Sequence, residues 1–166
     1  MADALQQAQV AAEQHEVPVG AVMVCSGQVI ARAHNQVQQT GNPTAHAEML
    51  CIQQAAGILG GWRLLESTLY VTLEPCPMCA GALLQSRVGT VVYGARNTLL
   101  GADGSWISLL PTQVPVQQGV MRASRPHPFH EKMQVRSGVM ADECGKLMQA
   151  FFQARRQASS VAAKSL

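Results

Sequence analysis

Residues 72–81 read T-L-E-P-C-P-M-C-A-G and hold two of the chain's five cysteines, Cys76 and Cys79, three apart and bracketed by prolines. Cysteines at this spacing serve three chemistries: a redox pair, half of a structural zinc site, or two ligands of a catalytic metal. A short β-rich run, T-L-Y-V-T-L-E, leads into the pair, and Pro77 suits the first position of a following helix. If Cys76 is the N-cap, Cys79 falls within the first turn. Both sulfurs then sit near unpaired backbone N–H groups and the positive helix end, a setting that favours thiolates. Thiolates bind zinc, and the spacing lets both reach one ion.

Two cysteines do not complete a site. His46, in T-A-H-A-E-M, is the best third ligand because it too falls at a helix start. Glu48 lies two residues on, and residues two apart do not share a helix face; a metal seated beside the helix end would still have both nearby, with His46 the ligand and Glu48 unbound. A structural zinc usually takes four protein ligands and a catalytic one takes three plus water. No convincing fourth ligand is found. Cys25 ends a strand, Cys51 lies within a helix and Cys144 falls on an apolar stripe, so each reads as packing. His127 and His130, in H-P-F-H, have no partner cysteine and read as structural. Three ligands and a water make a Lewis-acid site. Two thiolates blunt its acidity, so a carboxylate that takes and returns protons becomes useful, and Glu48 is that carboxylate.

The surrounding pattern is one of alternating helices and strands. The Ala/Gln-rich residues 2–16 predict a helix with Leu5, Ala8, Ala12 and His15 near one face. V-P-V-G-A-V-M-V and Q-V-I-A-R-A-H predict two strands joined as a hairpin across Ser26-Gly27. Residues 44–57 predict a helix capped by Thr44, with a stripe of Ala45, Met49, Ile52 and Ala56. C-P-M-C-A-G-A-L-L-Q-S-R predicts the next helix, and G-T-V-V-Y-G-A another buried strand. Residues 97–130 read as loops with short helical pieces, K-M-Q-V-R-S-G as one more strand, and residues 140–157 as a last helix with Met140, Cys144, Leu147 and Phe151 on one face. Such alternation predicts an α/β sheet with helices on both faces and four or five strands.

At 166 residues the chain fits one domain, and 13% charged against 48% apolar residues argues against disorder. The net charge of +2 says little, but no acidic residue follows Glu143, whereas Lys146, Arg155, Arg156 and Lys164 do. A looser basic group is Arg122, Arg125, Lys132 and Arg136. A basic end can meet a phosphate backbone, although on charge alone a solvated helix face with a basic tail is the better account. No secretory segment opens the chain, no apolar run approaches a membrane span, and the odd cysteine count fits a reducing compartment.

The pairing of H-A-E with P-C-x-x-C is a signature of zinc nucleobase deaminases. With E-V-P-V-G at 16–20, Asn35, P-T-A-H-A-E at 43–48, V-Y-G-A-R at 92–96 and F-F-x-x-R-R at 151–156, the chain resembles the cytidine deaminase-like superfamily, and within it the bacterial-type tRNA adenosine deaminases. The resemblance runs from about residue 16 to 156. It implies a three-layer α/β/α fold, a mixed sheet of about five strands, a catalytic domain over residues 1–157 and a disordered basic tail over 158–166. It implies one zinc per subunit on His46, Cys76 and Cys79, with Glu48 moving a proton from water to the adenine ring as C6 is hydrolysed, giving inosine. It further implies a homodimer, and a flipped wobble adenosine of an arginine-tRNA anticodon stem-loop as substrate. Asn35 would hydrogen-bond the base and Val19 pack on it. Glu16, Pro75, Asn97, Phe151, Phe152, Arg155 and Arg156 are the remaining expected substrate contacts.

The segment before H-P-F-H-E-K-M and the stretch L-L-G-A-D-G-S-W look like the plastid branch, which implies the chloroplast stroma, with the cytoplasm as the alternative. Asn97 stands where bacterial members usually carry Asp. Removing a carboxylate beside a bound strand lowers repulsion and implies tolerance of single-stranded DNA. Three rivals remain: a free-base or nucleoside deaminase of the guanine type, a zinc- and RNA-binding subunit without catalysis, and a redox protein in which Cys76 and Cys79 form a disulfide.

Overall fold

In a computed structural model, the described residues are 1–111, 121–122, 130 and 132–164, with the backbone alone at 121–122 and 161–164. The elements in chain order are α1 (Ala2–Glu13), β1 (Gly20–Cys25), β2 (Gln28–His34), α2 (Val37–Thr40), α3 (Ala47–Leu59), β3 (Ser67–Leu73), α4 (Pro77–Gln85), β4 (Thr90–Ala95), β5 (Ile107–Ser108), β6 (Met121–Arg122), β7 (Gln134–Arg136) and α5 (Ala141–Lys164). His127 lies outside the described residues.

Five strands form one mixed sheet in the order β2-β1-β3-β4-β7. β1 pairs antiparallel with β2 and β3, while β4 runs parallel to β3 and β7. The hairpin turns on Ser26 and Gly27, both with positive φ (51° and 75°), the geometry whose twist matches paired strands. α1 and α5 pack on one face of the sheet and touch each other; α3 and α4 pack on the other. The α/β/α layering is the one expected.

Small residues set the layer spacing. A Cβ on Gly20 would fall 2.1 Å from the Ala4 carbonyl oxygen, so α1 lies directly on the start of β1. On the other face Val19, Ala21 and Met23 of the β1 segment share a core with Ala47, Cys51 and Ala55 of α3 and with Ala80, Leu83 and Leu84 of α4. Cys144 stands against Gly94 of β4, with no room there for a Cβ, and Cys51 is fully buried, so both pack as expected.

Several local expectations change. The buried face of α1 is Ala4, Ala8 and Ala11, and His15 lies past the helix end at φ 61°. The sheet selects the residues small enough for close approach, which apolar spacing alone does not reveal. α3 begins at Ala47 with His46, not Thr44, as its N-cap, and buries Ala47, Cys51 and Ala55. Thr44 is drawn instead into the turn before it, where its hydroxyl and its N–H both donate to Asn42 Oδ1 (2.8 and 2.9 Å). Met140 precedes α5 at φ 56°, and the helix runs through residues 158–164, where a disordered tail was expected. Neither Gly nor Pro interrupts that stretch. No helix occurs among the described residues of 97–130, which hold instead the two-residue parallel pair β5 and β6.

Candidate active site

β3 and β4 are parallel neighbours, so their C-terminal ends open on the same edge of the sheet, where α/β proteins place ligands. β3 leads through Glu74 and Pro75 into α4. Cys76 is the N-cap of α4 and Pro77 follows at the first helical position, as the sequence predicted. The N-cap of α3, His46, arrives at the same place. His46 Nδ1 lies 3.7 Å from Cys76 Sγ and 3.5 Å from Cys79 Sγ. The three ligand atoms sit within 4.8 Å of one another, the one such cluster of three or more His, Cys, Asp or Glu among the described residues. One nitrogen and two sulfurs at this separation suit a tetrahedral ion with its fourth position open.

The electrostatics of the bare side chains agree. The Cys76 thiol is pulled down to about 4, first by the hydrogen bond from Cys79 and then, against burial, by His46. Cys79 is pushed up as the donor of that pair, burial adding to the effect. Hydrogen bonding to Cys76 raises His46 against its own burial. A bound cation would replace this proton sharing by holding both sulfurs as thiolates. Glu48, second residue of α3, is buried beside them, and burial raises its carboxyl above the ordinary range. Such a group is suited to carrying a proton.

His46, Glu48 and Cys76 line a cleft of about 480 Å³, with Cys79 buried behind them. Val19 lines it from just before β1, Asn35 from just after β2, Asn97 and Leu100 from the loop after β4, and Phe152 from α5. Asn35 is fixed from behind: its Nδ2 donates to Glu16 Oε2 (3.0 Å), and the other Glu16 oxygen accepts the Gln39 N–H (2.7 Å). Glu16, 1% exposed, thus orients a cleft residue and ties α2 down.

Not every expected contact gathers here. Phe151 stacks edge-on against Phe152 but turns into a second groove with Arg155, between α1 and α5. Arg156, four residues after Phe152, is exposed on the cleft side of the helix. Pro75 is buried, and its carbonyl accepts the Ala102 N–H (2.9 Å); it does not line the cleft. His130 is structural: its Nε2 lies 2.6 Å from the Val88 carbonyl oxygen. Glu74 and Met148 were missed. Both line the cleft, and Glu74 is 1% exposed. An acidic residue closing an apolar strand beside Pro-Cys was the available signal.

Comparison with known proteins decides the family. The model of the MafB19-like deaminase family matches residues 1–156. A tRNA-specific adenosine deaminase of Bacillus subtilis is 44% identical over all of this chain and 94% of its own length. The chain belongs to the tRNA-specific adenosine deaminase family. Another family member, the chloroplastic tRNA(adenine(34)) deaminase of Arabidopsis thaliana, is 54% identical over 93% of this chain, which spans only 12% of that protein. Among solved structures, one from a study of A-to-I editing by tRNA:A34 deaminases superposes with a TM-score of 0.70 at 37% identity, covering 89% of this chain and 96% of the other. A guanine deaminase of Bacillus subtilis is 39% identical with a TM-score of 0.55, over 57% of this chain and 61% of its own. Among the described residues of this family member, no helix is long and apolar enough to cross a membrane.

Proposed function

We propose that this chain hydrolyses adenosine to inosine at the wobble position of an arginine-tRNA anticodon loop, as a homodimer with one zinc ion per subunit. The observation that carries the reading is the His46, Cys76 and Cys79 cluster beside a buried Glu48, at a cleft large enough for a purine. The nitrogen and two sulfurs fit zinc, which when bound supplies the Lewis acidity that makes water nucleophilic near neutral pH. Glu48 takes a proton from the attacking water, delivers it to the ring nitrogen beside C6, and passes a second proton to the departing ammonia. Asn35 gives one N–H to Glu16, so its Oδ1 and second N–H remain to read the base edge. Val19 packs on the ring. Phe152 at the mouth and the exposed Arg156 one helical turn beyond it suit a single-stranded loop, which proteins hold by stacking and phosphate contacts, and Arg155, in the groove against α1, adds positive charge to the same end of the helix.

Membership of the tRNA-specific family and the basic end of α5 support RNA as substrate. The Arabidopsis relative supports the chloroplast stroma, and the bacterial ones support the cytoplasm as the alternative. The guanine deaminase likeness keeps a free purine base as the second reading. The deciding experiment gives zinc-loaded protein an arginine-tRNA anticodon stem-loop, with free adenosine and guanine in parallel and Glu48→Ala as control. Inosine in the RNA alone, lost in the variant, is the expected result. Turnover of guanine with untouched RNA would overturn it. Asn97 extends the reading to single-stranded DNA: Asn97→Asp returns a carboxylate to the cleft wall and should lower DNA deamination. Equal DNA activity of the two proteins would refute that extension.

A further inference from the structure

The Glu74 carboxylate accepts hydrogen bonds from a single loop. The N–H groups of Asn97 (3.1 Å), Asp103 (2.8 Å) and Ser105 (3.4 Å) all donate to it, and so does the Ser105 hydroxyl. The Arg96 guanidinium stands 3.9 Å away. The loop also closes over the carboxylate: a Cβ on Gly101 would run into the Glu74 carboxyl group, so a larger residue there would push that group out of its place. The next residue along, Pro75, holds the loop as well, through its carbonyl and the Ala102 N–H.

Asn97, Thr98, Leu99 and Leu100 of this loop form one wall of the cleft. Asn97 is spent inside the wall, its Oδ1 accepting the Leu100 N–H (3.1 Å). Leu99 (79% exposed) and Leu100 (52% exposed) are then turned outward at the rim. Phe152, itself 39% exposed, lines the same cleft from α5. The flat, apolar faces of unstacked bases suit such a rim. The target base itself sits deeper, between Val19, Asn35 and Glu48.

We propose that Glu74 is a positioning residue, which sets the 97–105 loop as an apolar rim for the nucleotides flanking the target and so governs substrate affinity rather than the chemical step. The inference rests on the reading of the substrate as a single-stranded RNA loop. A carboxylate suits the task because it is an acceptor on every side and all its close neighbours are donors. A glutamine of the same shape turns one acceptor oxygen into an NH2 group facing N–H donors.

The test compares zinc-loaded protein with its Glu74→Gln variant on an anticodon stem-loop, by steady-state and single-turnover kinetics, with amide hydrogen exchange on the same samples. The Glu74→Gln KM should rise about tenfold while the saturated single-turnover rate stays within about twofold, the pattern of a lost binding interaction. Zinc content should not change, and exchange should quicken across residues 96–106 but not in α3 or α4. An unchanged KM overturns the proposal, as does a fall in the saturated rate alone or unaltered exchange in the loop. If Glu74→Gln does not fold, Ser105→Ala removes one donor without stranding a charge; its KM should rise about threefold, and no rise counts against the proposal. Wild-type protein that deaminates free purine but leaves the stem-loop untouched refutes the RNA reading instead, and loop exchange then decides the positioning role by itself.

Discussion

Replacing Glu16 by glutamine should separate stability from activity. The Glu16 carboxylate is buried and accepts from Asn35 Nδ2 at 3.0 Å and from the Gln39 N–H at 2.7 Å. An amide of the same shape can keep the shorter bond through its oxygen. Its NH2 then faces the Asn35 NH2, and the clash is relieved if Asn35 turns its amide over and accepts. Folding loses little by this. Hydrogen bonds to a charge contribute about 1.5–3 kcal/mol and neutral ones about 0.5–1.5 kcal/mol, while burying an amide costs less than burying a carboxylate, so the net loss should be about 1 kcal/mol. With a slope of about 2 kcal/mol per molar, the urea midpoint should fall by about 0.5 M. Recognition suffers more, because a turned Asn35 offers the base an inverted pattern of donor and acceptor. A mismatched pair of this kind costs about 1–3 kcal/mol, which is roughly a 5- to 150-fold loss in kcat/KM. The assay is kcat/KM for inosine formation beside urea unfolding of the same zinc-loaded samples. A lower midpoint with kcat/KM within twofold of wild type would show that Glu16 only holds the fold, and the reasoning about Asn35 would be wrong.

Glu48→Gln should retain zinc by metal analysis yet lose about 10²–10⁴-fold in rate at saturating substrate, the usual contribution of a positioned proton carrier. After chelation of the metal, Cys76 should alkylate at a rate nearly constant from pH 6 to 8. Its thiol is held down to about 4, so it is already ionised throughout that range, whereas Cys51, pushed up to about 12 by burial, should stay unlabelled. Mass spectrometry of the labelled peptides reads both, and a Cys76 rate that rises tenfold per pH unit would contradict this assignment. His130→Ala should strand the Val88 carbonyl and lower unfolding free energy by about 1–2 kcal/mol without altering kcat; a change in kcat would refute its structural role.

How far the sequence could be read depended on whether a residue's role is local. Cys76 at an N-cap with Pro77 behind it is a local arrangement, and it appears as predicted. The Ser26-Gly27 turn is local too. His46 was singled out as a ligand although its helix begins two residues later than Thr44 capping implied, because chemistry and not helix phase pointed to it. Glu74 was missed for the opposite reason. Its partners lie 23–31 residues downstream, in a loop whose path no periodicity describes. The buried face of α1 depended on which alanines the sheet could approach, which is likewise a tertiary matter. α5 looked like a helix with one apolar face, yet it serves two places: Leu147 and Phe151 line the groove against α1, whereas Met148 and Phe152 line the cleft.

The close seat of α1 on Gly20 has a bearing on the order in which the chain folds. α1, β1 and β2 occupy the first 34 residues and contact one another, so their contacts span short stretches of chain. Closing short loops loses little chain entropy and is fast. His46 and Cys76 must instead be brought together across 30 residues, and the last strand of the main sheet, β7, reaches back to β4 from more than 40 residues away. The amino-terminal segment through His34 is therefore placed to act as the nucleus, with the site assembled later upon a sheet that is already begun. Zinc would then stabilise the finished protein chiefly by slowing its unfolding.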